Sequence, residues 1–382
     1  MGRSFLFAFS AVLHLWVGWM LVPSLLAWPF AAGVLALLLA VSAVLMPLGL
    51  LVRRAHGEGE KNADRLAWAG MLFMGLFSSL FVFTLLRELV YLGTWIVQRF
   101  APAVVLPPDL EPASAWGVLF VSLAATVLGF LNARRTAKVV TVDVPVQGLP
   151  AALDGFTIAQ ISDIHVGPTI KAKYLQAIVD RVNALDADAV AVTGDLIDGS
   201  VRQLAPHVAP LAQLKSRHGT YFVTGNHEYY SGAHAWIDHL RGLGVNVLMN
   251  EHVVLRRGDA QLVLAGVNDY TAHLFDSAHR SDPAKALVDA PADAGARVLL
   301  AHQPRSAEAA SSVGFDVQLS GHTHGGQFWP WNHFVRFQQP FTAGLHRLGR
   351  LWVYTSRGTG YWGPPKRFGA PSEITQLRLR AA

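Results

Sequence analysis

The stretch FTIAQISDIHVG, from Phe156 to Gly167, changes character halfway along. Phe156 to Ile161 is an apolar, β-rich run. It stops at Ser162 and at once delivers Asp163 and His165. Residues i and i+2 of an extended segment project to the same side, so these two polar side chains can reach one point. Beyond them, Leu175, Ile178, Val179, Val182 and Leu185 recur at helical spacing and predict a helix over 171–185, followed by a second apolar run at 189–192. Strand, helix, strand argues an α/β layering.

The same device repeats along the chain. The run at 189–192 leads into TGDLIDG, with Asp195 and Asp198; 221–223 leads into TGNHEYY, with Asn226 and His227; 298–300 leads into AHQP, with His302; 317–319 leads into SGHTHGG, with His322 and His324. In layered α/β proteins ligands collect at the carboxyl edge of the strands, so these distant loops can converge. The set Asp163, His165, Asp195, Asn226, His302, His322 and His324 offers only nitrogen and oxygen donors. Such donors suit Mn, Fe, Zn or Co rather than Cu(I) or an iron–sulfur cluster. The glycines around His322 and His324 allow a turn in which the two imidazoles serve different ions. Two ions about 3.5–4 Å apart clamp the attacking and leaving oxygens of a displacement at phosphorus. Such a pair needs a bridging carboxylate, for which Asp195 is the candidate, and an acid for the departing oxygen, for which His227 is the candidate.

Before residue 136 the chain is of another kind. Of its 382 residues 52% are hydrophobic, and most of the acidic and histidine residues lie in the second part. A bilayer core needs about 20 apolar residues of helix. Four segments qualify, at about 5–26, 30–52, 66–86 and 115–131, so a transmembrane region at 1–135 is expected to precede a catalytic domain at 136–382. The first span reads as a retained helix rather than a cleaved leader. Arg53, Arg54, Lys61 and Arg65 follow the second span and Arg134, Arg135 and Lys138 follow the fourth, while the loop between the first two has no basic residue. This asymmetry places both basic stretches, and the domain after the fourth span, in the cytoplasm. Arg87 and Glu88 read as the end of the third span, with 89–100 in the interface. The formal charge of +5 is modest and much of the basic excess flanks apolar runs, so nucleic acid is not the expected partner. No cysteine is present, which excludes disulfides and thiolate metal sites.

The five blocks together, Asp163 with His165, Gly194 with Asp195 and Asp198, Gly225 to Glu228, His302, and Gly321 with His322 and His324, resemble the calcineurin-like metallophosphoesterase superfamily. The resemblance implies a four-layer αββα sandwich with a dimetal site at one edge of its two sheets. It implies that Asp163, His165, Asp195 and His324 hold one divalent ion, most simply Mn2+, and that Asp195, Asn226, His302 and His322 hold the other. It also implies attack on phosphorus by a bridging hydroxide, with His227 protonating the departing oxygen and Asp198 orienting its imidazole.

Protein phosphatases of this superfamily carry Arg-Gly after the second Asp of G-D-x-x-D; here Asp198 is followed by Gly199 and Ser200. A protein phosphatase is therefore not expected, and Glu228, which that arginine pairs with, reads as a local structural carboxylate. The blocks look most like the bacterial membrane-associated branch. This implies a multi-pass protein of the inner membrane hydrolysing a phosphodiester or a pyrophosphate, with a lipid-linked substrate resembling UDP-diacylglucosamine, or a phospholipid. The alternatives are a membrane sensor or scaffold that binds without turnover and a broad-specificity phosphomonoesterase.

The aromatics after the last block, among them Phe328, Trp329, Trp331, Phe334, Phe337 and Phe341, admit three readings: core, a lipid-facing lip, or a stacking surface. Trp329, Trp331 and Arg357 are the candidate substrate contacts, and Lys366 and Arg367 read as facing anionic headgroups or solvent. His207, His234, His273, His333 and His346 are expected to be exposed or locally hydrogen-bonded, without a role.

Overall fold

The computed structural model describes residues 2–54 and 60–382. Residues 55–59 and the side chains of Arg53, Arg54 and Lys61, among the basic residues that set the expected orientation, lie outside the described residues. The chain divides into two compact units, 1–131 with 363–368, and 132–362 with 369–382.

The first unit is built on helices α1 (Arg3–Leu21), α2 (Pro29–Arg54), α3 (Glu60–Phe100) and α4 (Leu110–Arg134), each long and apolar enough to cross a membrane. Val17, Leu21, Leu35, Leu39, Phe77, Leu80 and Val118 form its core. Leu15, Trp19, Phe30, Leu37, Val90 and Phe120 face outward, as a hydrocarbon solvent favours.

Two expectations are corrected here. The third helix does not end at 86: α3 is continuous over 41 residues, about 60 Å at 1.5 Å per residue. It contains no proline, and Arg87 does not break it because the guanidinium is buried and bonded, to Ser114 Oγ (2.8 Å), Met20 O (3.1 Å), Ser24 Oγ (3.0 Å) and Glu88. Lys366 and Arg367 face neither headgroups nor solvent. They are 2% and 1% exposed within the first unit, where Lys366 Nζ donates to Gly75 O (2.8 Å) and Ser79 Oγ, and Arg367 N to Gly129 O (2.8 Å).

The second unit holds twelve strands: β1 (Lys138–Val146), β2 (Thr157–Ile161), β3 (Ala189–Val192), β4 (Thr220–Phe222), β5 (Asn246–Val247), β6 (Glu251–Arg257), β7 (Ala260–Gly266), β8 (Ala296–Leu300), β9 (Val317–Ser320), β10 (Gly344–Leu348), β11 (Leu351–Thr355) and β12 (Glu373–Ala381). They form two six-stranded sheets, in the orders β1-β12-β2-β3-β4-β5 and β10-β11-β9-β8-β7-β6. Within them β2 to β5 are mutually parallel, as are β7, β8, β9 and β11. Each parallel set therefore ends at one edge.

Side chains alternate across the strands and create the layers. Ala189 and Ala191 join Ile158, Leu264, Val298, Val317 and Leu377 in the core between the sheets. Val190 and Val192 face the other way, packing with helix α5 (Ala172–Asn183) through Leu175, Ile178 and Val182, with α6 (Val201–Val208) through Leu204, and with α8 (Ala233–Gly242) through Trp236 and Leu240. Helix α7 (Asn226–Ser231) precedes α8, and α9 (Ala307–Ser312) covers the outer face of the second sheet with Ala265, Leu299 and Val353. The result is the four-layer αββα sandwich.

Trp236 is fully buried and its indole N–H donates to Gly199 O at 2.8 Å, so α8 pins the loop that carries Asp198. Trp236→Ala is expected to lower stability by about 3–5 kcal/mol, the usual cost of a large aromatic cavity. Thermal unfolding followed by circular dichroism checks this, and a loss below about 1 kcal/mol would contradict the packing described.

Candidate metal centre

The loops after β2, β3, β4, β8 and β9 meet at one edge of the sandwich, and backbone hydrogen bonds hold them together. Asp163 N donates to Gly194 O (3.0 Å), His165 N to Asp195 O (3.1 Å), and Gly321 N to His302 O (2.9 Å). The backbone bends sharply there. Asp163, His165, Asp195, His322 and His324 all have positive φ, between 52° and 69°, a left-handed conformation that costs a residue with a Cβ about 1–2 kcal/mol. Strain of this kind persists only where the surroundings over-determine it, and it gathers at functional sites.

Five of the seven predicted donors thus owe their direction to strained backbone. All seven are brought to this edge, as are His227 and Asp198. Asp163, His165 and His324 present donor atoms within 4.8 Å of one another, and so do Asp195, His302 and His322. His165 Nε2 lies 3.0 Å from His324 Nε2, and His322 Nδ1 lies 3.2 Å from His302 Nε2. The two histidines of GHTH therefore turn to different partners. Asp195 stands between the groups, its Oδ2 3.2 Å from His302 Nε2 and 3.9 Å from His165 Nε2.

The donor set fits cations. His302 Nδ1 is 2.7 Å from Thr193 O, an arrangement in which Nδ1–H donates and Nε2 faces Asp195. Asn226 Oδ1 is buried and has no hydrogen-bond partner among the described residues, a costly state for an amide oxygen unless a cation or water meets it. Asp163 and Asp195 are 0% and 2% exposed. Burial raises the Asp163 carboxyl above its ordinary pKa; it acts the same way on Asp195, but His302, His227 and His165 outweigh it and hold that carboxyl well below the usual range. Burial disfavours a charged His302, yet Asp195 beside it raises the imidazole well above its ordinary value. His322 is driven down to about 3, by burial first and then by His302. The site asks for positive charge between its two buried carboxylates, and a divalent ion competes with protons for that place.

Asp198 serves two imidazoles. Its Oδ1 is 2.5 Å from His227 Nδ1, and its carboxylate is 3.3 Å from His165 Nδ1. With Nδ1 held by Asp198, His227 Nε2 lies 4.0 Å from Asp195 Oδ2. Glu228, read from the sequence as structural, is fully buried and accepts three backbone N–H groups, from Gly225 (2.6 Å), Asp195 (3.0 Å) and Leu196 (2.8 Å). It ties the GNHE loop to the GDLID loop. Burial, with Asp195 adjacent, pushes its carboxyl up to about 8, against the pull of the Gly225 and Leu196 amides and of His302.

The candidate substrate contacts divide. Arg357 pairs with the buried Glu373 at 3.0 Å and lies along Gly325, so it stands beside the His324 turn. Trp329 is half-buried and Trp331 exposed; Phe328 is buried and Phe341 packs on the core, whereas Phe334 and Phe337 are exposed. Sequence reasoning missed Tyr230 and Trp362, whose rings lie 5.2 Å and 6.0 Å from His227. Trp362 is fixed there by Gln327, which both donates to Trp362 O and accepts from Trp362 N at 2.8 Å. Nothing in the sequence pairs residues 327 and 362.

A model of the calcineurin-like phosphoesterase family matches residues 156–326. A bovine (Bos taurus) transmembrane protein with a metallophosphoesterase domain is 43% identical over 284 residues, which cover 72% of this chain and 63% of that protein. An uncharacterised metallophosphoesterase of Aquifex aeolicus is 31% identical over 226 residues, 58% of this chain and 84% of that protein. A solved dimetal phosphatase from Danio rerio aligns at 14% identity with a TM-score of 0.32, over 54% of this chain and 88% of that one. The chain belongs to the calcineurin-like phosphoesterase family, and four apolar helices precede its phosphoesterase domain. It spans less than two thirds of the bovine relative's length.

At Gly321 a Cβ would stand 2.0 Å from Ser162 Oγ and 2.3 Å from Asp163 Oδ2. Gly321→Ala is therefore expected to destabilise by about 1–3 kcal/mol, as overpacking does. Chemical denaturation checks this; an unchanged midpoint would mean the two loops are not so tightly apposed.

Proposed function

We propose that this protein is a membrane-anchored, dinuclear-metal phosphoesterase that hydrolyses a phosphodiester or pyrophosphate bond, with residues 136–382 as its catalytic domain. The observation that carries the reading is the convergence of seven nitrogen and oxygen donors, two of them buried carboxylates, with Asn226 Oδ1 left without a partner among the described residues. Asp163, His165, Asp195 and His324 hold one divalent ion, and Asp195, Asn226, His302 and His322 the other. Mn2+ is the first choice, and Fe, Zn and Co suit the same donors. When bound, the ions supply Lewis acidity and lower the pKa of water at neutral pH.

The chain's own groups do the rest. Asp198 holds the Nδ1 proton of His227, which keeps Nε2 as the atom that gives a proton to the departing oxygen. The same carboxylate steadies His165. Arg357 stands beside the His324 turn, where its charge draws phosphate. The absence of an arginine after Asp198 argues against a phosphoprotein substrate.

The four apolar helices and the exposed Trp331, Phe334 and Phe337 support an amphiphilic, lipid-linked substrate. Arg134, Arg135 and Lys138 at the exit of α4 support a cytoplasmic catalytic domain in the inner membrane of a bacterium.

The purified protein is expected to retain two ions at this centre and to lose activity on a chromogenic phosphodiester after chelation. His227→Ala is expected to keep both ions while kcat falls about 10²- to 10⁴-fold, as loss of a general acid does. Asn226→Ala is expected to lose an ion and activity together. Full turnover in His227→Ala would remove it as the acid, and full turnover in Asn226→Ala would remove the two-ion reading. For orientation, a reporter active only in the periplasm, fused after Ala382, is expected to stay silent.

A further inference from the structure

A second set of metal-type donors lies outside the centre described above. His234, at the start of α8, and Asp276 with His279, on the turn at 276–279, present donor atoms within 4.8 Å of one another. His234 Nε2 is 2.9 Å and His279 Nε2 is 3.9 Å from Asp276 Oδ2, and the two imidazole centroids are 4.7 Å apart. Donor separations about a tetrahedral ion with bonds of about 2.0–2.1 Å are about 3.4 Å, midway between those two distances.

Each ligand is also aimed. Asp276 accepts from Ala278 N with Oδ1, at 2.9 Å, which fixes the carboxylate and leaves Oδ2 toward the imidazoles. His279 Nδ1 lies 3.0 Å from Tyr229 Oη, and Tyr229 Oη lies 3.4 Å from Thr224 Oγ1. In one consistent order of donors, the one a metal-bound Nε2 requires, His279 Nδ1–H gives to Tyr229 and Tyr229 O–H gives to Thr224. His279 Nε2 then carries the lone pair, facing Asp276 and His234. A ligating histidine held through its other nitrogen in this way is the usual outer arrangement of a metal site.

We propose that His234, Asp276 and His279 form a third, separate site for one divalent ion of the zinc class, with water completing its coordination. Two imidazole nitrogens and one carboxylate oxygen favour such an ion over Mg2+ or Ca2+, which take oxygen ligands. The site joins the 272–279 segment to α7 and α8 beside the principal centre. Phe275 of that segment packs on Tyr230 at 5.5 Å, and Tyr230 packs on His227 at 5.2 Å. An ion here fixes the aromatic wall next to His227.

The test is a metal count on full-length protein, stripped by chelation, dialysed to equilibrium against Zn2+ and measured by plasma mass spectrometry. Wild type is expected to hold one zinc more than His234→Ala and one more than Asp276→Asn. His234 is largely exposed, so its replacement leaves the fold intact. Tyr229→Phe is expected to weaken that zinc about 10- to 100-fold, because His279 loses its acceptor. Equal counts in wild type, His234→Ala and Asp276→Asn overturn the proposal. The same one-zinc difference is expected in an Asn226→Ala background, so the count stands or falls independently of the phosphoesterase reading.

Discussion

The buried carboxylate of Asp195 is the constraint around which the second unit is arranged. An isolated carboxylate away from water is too costly to persist, so its environment must supply compensating charge and donors. His227 N donates to Asp195 Oδ1 at 2.9 Å, and His302 and His165 face Oδ2. These groups come from the loops after β4, β8 and β2, while Asp195 itself follows β3. A requirement at one side chain thus fixes the relative positions of both sheets. Gln160 adds a further link between them, donating from β2 to Ser320 O on β9 at 2.9 Å.

Holding these loops together imposes conformations the chain would not adopt by itself. The left-handed backbone at five donor residues is offset by contacts on every side. Glu228 accepts three amide N–H groups from two loops, and His322 N donates to both oxygens of Asp163, at 2.9 and 3.0 Å. Gly225 belongs to the same economy of space, since a Cβ there would fall 2.2 Å from Asp195 Oδ1. A rigid, pre-shaped set of donors is what electrostatic catalysis at phosphorus requires.

The first unit solves the opposite problem, polar groups among apolar helices. His14 is buried against Phe77, with its ring nitrogens 2.7 Å from Ser10 O and 2.8 Å from Ser42 Oγ. Arg87 gathers partners from α1, α4 and the turn between α1 and α2. In each case the polar atoms find partners inside the unit, which the absence of water in a hydrocarbon region demands.

Much of this was legible in order. Strand-terminal placement of Asp163, Asp195, Asn226, His302, His322 and His324 follows from short apolar runs that stop at polar turns, and the four apolar segments follow from length and composition alone. What the sequence could not determine is where side chains point and which distant residues meet. Asp and His adopt positive φ more readily than most residues, but residue type does not say which of them will, and at Asp163, His165, Asp195, His322 and His324 it arises where loops press on one another. Asp198 serving both His165 and His227, Trp362 held by Gln327, and His234 meeting Asp276 and His279 are likewise products of tertiary contact. The continuation of α3 past Arg87 belongs with them. A charged residue in an apolar run reads as an end until partners from other helices satisfy it. Local pattern sets which donors exist and in what order, and packing alone sets the distances at which they act.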